Sequence, residues 1–160
     1  MDIFQFAMQM EVDGEKYYRN LAKKAPHKGI ANILNMLADD EMKHYNVFRE
    51  LKSKTPEMLA TQVLANAKNV FQKMKDESPD IKFDISDIEL YKKAQEVEKE
   101  SQDFYLEKSK EIKQQPQREM FLRIAEEEER HYFLLDHLID FLSKPYTWLE
   151  NAEFFHLDEY

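Results

Sequence analysis

Residues 29–53 read GIANILNMLADDEMKHYNVFRELKS, and residues 116–142 read PQREMFLRIAEEEERHYFLLDHLIDFL. In the first, Leu34, Leu37, Glu41, His44, Phe48 and Leu51 recur at alternating steps of three and four. In the second, Phe121, Ile124, Glu128, His131, Leu135, Leu138 and Leu142 do the same. That period places each set on one face of an α-helix. Both faces are apolar except where Glu-x-x-His interrupts them. Two further stretches share the period. From about Asp2 to Lys24 the stripe is Phe4, Ala7, Glu11, Gly14, Tyr18 and Leu21. From about Ser86 it is Tyr91, Ala94, Glu98, Ser101 and Tyr105. Each again carries a glutamate where an apolar residue belongs.

The interruptions repeat. A shift of 87 residues lays Glu11 on Glu98, Tyr18 on Tyr105, Glu41 on Glu128, His44 on His131 and Tyr45 on Tyr132. Ala7, Ala38 and Leu51 fall likewise on Ala94, Ala125 and Leu138. The chain is one helical hairpin used twice. The connections 24–29 and 113–116 are short, so each pair of helices is expected to run antiparallel. A long crossover joins the pairs. Within it, Thr55-Pro56-Glu57 reads as a cap followed by proline at the first helical position. Met58, Leu59, Val63, Ala67, Val70, Phe71 and Met74 then predict a helix ending at Ser78-Pro79-Asp80. Ser86-Asp87-Ile88-Glu89 reads as a capping box for the third long helix.

Composition supports an all-α fold. The 160 residues are 42% hydrophobic and 34% charged, a globular balance with room for one domain. Two glycines and five prolines provide too few turns for a many-stranded sheet. The absence of cysteine excludes disulfides, thiolate metal sites and thiol nucleophiles. A net charge of −9 argues against nucleic acid as a partner, because phosphate binding needs a positive surface. No apolar run approaches the roughly twenty residues of a membrane span. The opening residues MDIFQFAM carry no basic lead-in and no long apolar core, so a cytoplasmic location is expected. We expect a bundle over residues 1–143 and an aromatic, acidic tail over 144–160. Trp148, Phe154 and Phe155 of that tail should pack on the bundle or on a partner subunit.

Burying one unpaired carboxylate is costly, and four in one core repel one another as well. Positive charge is required among them. A step of three on a helix turns a side chain to within roughly 60° of its starting direction. Both members of each Glu-x-x-His therefore face one point. The candidate ligands are Glu11, Glu41, His44, Glu98, Glu128 and His131. Four carboxylates neutralise two divalent ions, and hard oxygens with two imidazoles suit iron or manganese, with zinc a possible substitute. Glu153-x-x-His156 has the same spacing but lies in the tail without a repeat partner.

The constellation resembles the ferritin-like superfamily and, within it, the rubrerythrin diiron domain, over about Asp2 to Leu142. The phrases EVDGEKYY from Glu11 and EKESQDFY from Glu98 are similar to rubrerythrin first and third helices. The resemblance implies a four-helix bundle holding two irons per chain, with Glu41 and Glu128 as bridges, Glu11 and Glu98 as terminal ligands, and one histidine on each ion. It also implies reduction of hydrogen peroxide or dioxygen, an external donor such as a rubredoxin-like protein, and a homodimer. Ser101 stands where rubrerythrins tend to carry an extra glutamate, so a ligand switch using that glutamate is not expected. The same ligand set resembles a bacterioferritin-like ferroxidase, which needs a multi-subunit shell. A structural or regulatory metal module without turnover and an oxygenase are the other readings.

Around the candidate ligands, several residues carry two readings each. Gly14 and its repeat mate Ser101 either leave space beside the metals or allow close helix packing. Tyr18 and Tyr105 bond a ligand carboxylate, relay an electron, or simply fill the core. Asp40 and Glu127 either orient the opposite hairpin's histidines or lie on a solvated face. Glu15 is left out because its mate is Gln102. His27, His137 and His156 are expected at the surface, and only Glu128 of the run Glu126 to Glu129 is expected inside. The methionines read as core filler.

Overall fold

A computed structural model of the chain describes residues 2–53, 58–77, 87–144, 148, 149 and 153–159. Among the described residues, the long α-helices run in the order α1 (Ile3–Lys24), α2 (Lys28–Leu51), α3 (Val63–Glu77), α4 (Ile88–Ser109) and α5 (Gln115–Ser143). A short 3-10 helix follows at Glu153–Glu159. No strand occurs among the described residues. α1 packs chiefly on α2 and α4 chiefly on α5, while α3 lies against α2 and the 3-10 helix. This is the ferritin-like arrangement of two hairpins joined by a crossover. No helix among the described residues is long and apolar enough to cross a membrane.

Local chemistry fixes the helix ends. Asp2 caps α1: its carboxylate accepts from the Gln5 N–H while the Gln5 side chain accepts from the Asp2 N–H. His27 caps α2, its Nδ1 accepting from the Gly29 N–H at 2.9 Å. That half-buried role corrects the surface placement expected of His27. His137 is also half-buried, between the Phe133 and Trp148 rings, whereas His156 is exposed beside Glu159. α5 opens on Gln115 with Pro116 just inside. At α4, Asp87 occupies the cap without a side-chain bond, and Ser86 lies outside the described residues.

The crossover departs from expectation. Met58 to Gln62 are not helical, and α3 begins only at Val63. Its first two carbonyls are taken by side chains instead: Arg123 donates to Met58 O at 2.7 Å and Lys43 to Leu59 O at 2.9 Å. Met58 is buried, but Leu59 is 86% exposed. Thr55, Pro56 and Glu57, and Ser78 to Asp80, lie outside the described residues.

The stripes face inward. Every residue assigned to the faces of α2, α4 and α5 is buried; on α1 only Phe4 is partly exposed, edge-on to Phe121. Apolar burial forms two clusters. One holds Leu34, Leu37, Leu134, Leu135, Leu138 and the α3 residues Phe71 and Met74. The other holds Phe48, Leu51, Phe121 and Ile124. Glu11, Glu41, Glu98, Glu128 and both histidines form a polar layer between them. Gly29 is what seats α3: a Cβ there would lie 2.7 Å from Met74 Sδ.

In the tail, Trp148 is fully buried, with its ring 4.4 Å from Phe71 and 5.7 Å from Phe141. The side chains of Phe154 and Phe155 lie outside the described ones. Trp148→Ala is expected to cost about 3–5 kcal/mol of unfolding free energy, read as a shift in denaturant midpoint. A loss below about 1 kcal/mol would show that the tail is peripheral to the core.

Candidate metal centre

Helical spacing brings all six candidate ligands to one place. α1 supplies Glu11, α2 Glu41 and His44, α4 Glu98, and α5 Glu128 and His131, none more than 4% exposed. They form two overlapping sets. Glu11, Glu41, His44 and Glu128 make one; Glu41, Glu98, Glu128 and His131 make the other. Within each set the potential ligand atoms lie within 4.8 Å of one another. Glu41 and Glu128 belong to both sets, while Glu11 and Glu98 each belong to one.

Both histidines point the same nitrogen inward. His44 Nδ1 lies 3.0 Å from Glu128 Oε1 and 3.4 Å from Glu11 Oε2. His131 Nδ1 lies 3.2 Å from Glu41 Oε1 and 3.4 Å from Glu98 Oε1. The outer nitrogens are held by acids of the opposite hairpin. His44 Nε2 donates to Glu127 Oε1 at 2.7 Å, and His131 Nε2 donates to Asp40 Oδ2 at 2.9 Å. Fixing the proton on Nε2 leaves the Nδ1 lone pair for an ion. Asp40 and Glu127 thus orient histidines rather than lying on a solvated face. Glu127 is buried, contrary to the expectation that Glu128 alone of its run would be.

The tyrosines cross the same way. Tyr18 OH donates to Glu98 Oε1, and Tyr105 OH donates to Glu11 Oε1 at 2.6 Å. Burial, then the neighbouring carboxylate charge, pushes both phenols well above their ordinary range, so they keep their protons. Gly14 is explained by Glu41: a Cβ there would meet Glu41 Oε2 at 2.9 Å. Gly14 and Ser101 also line a cavity of about 10 Å³ that reaches Glu41 and Glu98 between α1 and α4. The two readings of the small residues therefore both hold.

The residues suit a pair of divalent ions. Glu11 Oε2, Glu98 Oε2 and Glu128 Oε2 are buried without a hydrogen-bond partner, an arrangement that is costly unless a cation satisfies it. Oxygen-rich donors with two imidazoles match the preference of iron or manganese. Electrostatics describe the same need. Burial first, then the charges of the other glutamates, pushes Glu41 and Glu128 well above the usual carboxylate range. Burial raises Glu11 to about 7. Burial would raise Glu98 too, but the Glu128 carboxyl, His131 and Tyr18 bring it down to about 2. Burial would lower the histidines, but bonds and charges from acids outweigh it, lifting His44 to about 9 and His131 well above its usual value.

A helical bundle with two carboxylate–histidine sets sharing two glutamates defines a ferritin-like protein with a cluster able to hold metal. The rubrerythrin family model matches residues 2–139. The chain belongs to that family of diiron-carboxylate proteins. Comparison with curated proteins and with solved structures found no match.

Sequence reasoning did not reach Lys43 or Thr61. Lys43 Nζ lies 3.0 Å from Glu127 Oε1, and Thr61 bonds both outer acids. The buried acid Glu127 did carry a signal, since its repeat mate is Asp40. Thr61 carried none, because it lies in the crossover outside the repeat.

The raised groups set how the stability of the metal-free chain changes with pH. A group whose pKa rises on folding stabilises the fold below its unfolded value and loses that contribution as pH climbs through the folded one. Glu11 does so between 4.5 and about 7, and His44 between 6.5 and about 9, with Glu41, Glu128 and His131 shifted the same way. The opposite losses, from Glu98, Asp40 and Glu127, whose carboxyls are lowered, are confined to acid pH below 4.5. Thermal unfolding of chelator-treated protein should therefore fall steadily from mildly acidic to alkaline pH. Added divalent metal should raise the midpoint more at alkaline pH, because it replaces those protons. A metal-free midpoint that rises with pH would refute this electrostatic account.

Proposed function

We propose that the chain is a peroxide reductase that holds two iron ions, with electrons from an external donor such as a rubredoxin-like protein. The observation that carries the reading is the sharing of Glu41 and Glu128 by two ligand sets. Glu11, Glu41, Glu128 and His44 would hold one ion, and Glu98, Glu41, Glu128 and His131 would hold the other. When bound, two irons supply the two electrons that convert hydrogen peroxide and two protons into two waters.

The chain's own residues prepare that exchange. Tyr105 and Tyr18 each donate to a terminal carboxylate, fixing Glu11 and Glu98. Glu127 and Asp40 hold the Nε2 protons of His44 and His131. The two apolar clusters keep bulk water from the polar layer. The cavity of about 10 Å³ beside Glu41 and Glu98 has room for roughly one water, which favours a small oxidant such as hydrogen peroxide over an organic substrate. A cytoplasmic homodimer is the setting proposed for this activity.

The test begins with anaerobic loading. The chain should take up two ferrous ions, and one equivalent of hydrogen peroxide should reoxidise both much faster than it oxidises free ferrous iron. Reoxidation no faster than that of free iron would end the peroxidase reading. Formation of a large shell with a mineral core would replace it with iron storage. Ligand sharing makes a second demand. Glu128→Ala should abolish uptake of both ions, whereas Glu11→Ala and Glu98→Ala should each leave one, counted by metal analysis of the gel-filtered protein. Equal stoichiometry in all three variants would remove the shared role of Glu128.

A further inference from the structure

The polar layer is built from a twofold repeat, yet one residue outside the repeat touches both halves. Thr61 precedes α3, and the 87-residue shift sets Trp148 opposite it. Its hydroxyl donates to Asp40 Oδ2, the same oxygen that accepts from His131 Nε2. Its main-chain N–H donates to Glu127 Oε2 at 3.0 Å, while the other oxygen of Glu127 accepts from His44 Nε2. The segment carrying Thr61 is fixed on both sides of the bundle, by Arg123 on Met58 O and Lys43 on Leu59 O.

The two arms are unlike. Glu127 also has the Lys43 ammonium at 3.0 Å, whereas that ammonium is 3.6 Å from Asp40. Asp40 is shorter by one methylene, and its side chain is 16% exposed against 5% for Glu127. Glu127 is thus held by a main-chain donor and a cation. Asp40 has no main-chain donor and a more distant ammonium, so beside His131 the Thr61 hydroxyl is its close anchor against turning toward water.

Resting on the metal reading above, we infer that Thr61 is a positioning residue that makes the two metal positions inequivalent. Its side chain governs the His131 position through Asp40. Its backbone governs the His44 position through Glu127, where a side-chain substitution has no effect. Direct partners of ligating histidines change metal affinity by roughly 10–100-fold when removed, and Thr61 acts through one of them, Asp40. The hydroxyl also accepts from the Val63 N–H at 3.2 Å, so a purely structural role as a helix cap must be separated from positioning.

Two single-position backgrounds separate them. Glu98→Ala leaves the His44 position and Glu11→Ala leaves the His131 position, each in the full chain. Cobalt(II) alone is titrated into each and followed by its visible absorption. Adding Thr61→Val should weaken cobalt binding about tenfold in the Glu11→Ala background and leave it unchanged in the Glu98→Ala background. Thr61→Ser, which keeps the hydroxyl, should restore the lost affinity. Thr61→Ala repeats the comparison if the valine variant does not fold. Equal losses in both backgrounds would mark Thr61 as a helix cap only, and no loss in either would overturn the inference as well. A wild-type chain that binds no cobalt would instead sink the metal reading itself.

Discussion

Four carboxyl groups and two imidazoles share a space between two apolar clusters, and the rest of the molecule is arranged around the cost of putting them there. Burial in such a place pushes acids toward protonation, and like charge pushes them further. The chain meets that cost by surrounding the layer with groups that donate inward or hold a proton outside it. Tyr18 and Tyr105 each satisfy one oxygen of a glutamate. Asp40 and Glu127 anchor the far side of each imidazole. Three carboxylate oxygens remain without a hydrogen-bond partner, and they belong to Glu11, Glu98 and Glu128. Those are the atoms that a pair of cations would satisfy.

Much of this arrangement is legible in the amino-acid sequence, for a definite reason. Helical periodicity and an internal repeat are both long-range signals, and they fall on the same residues. A glutamate at Glu41 alone says little. Glu41 in register with Leu37 and Phe48, and matched by Glu128 in register with Ile124 and Leu135, has few alternatives to an inward-facing position. The register also placed Tyr18, Gly14 and Ser101 near the layer, but could not choose between their roles. That choice rests on distances: Gly14 is small because Glu41 lies over it, which requires knowing how closely α1 approaches α2.

The crossover was less legible. Met58, Leu59 and Val63 have helix-like spacing, yet the chain stays irregular until Val63 because Arg123 and Lys43 take the carbonyls of Met58 and Leu59. A side chain from a distant helix leaves no trace in local periodicity. His27 and His137 were misplaced for a similar reason: a cap and a contact with Trp148 arise from neighbours that no stripe predicts. Glu127 shows the intermediate case. It sits off the stripe of α5, but its correspondence with Asp40 marked it as a residue whose twin occupies the same place in the other half.

The hydrogen bonds that the tyrosines and histidines make around the layer run between hairpins. Tyr18 serves Glu98 and Tyr105 serves Glu11; Asp40 serves His131 and Glu127 serves His44. Neither half can complete its own quartet, so the molecule behaves like a two-part lock whose tumblers are exchanged. Any breathing motion that parts the halves withdraws every one of these supports together. Disassembly should then be abrupt rather than gradual, and a damaged centre would expose the oily seams on either side of it, leaving the chain open to proteolysis.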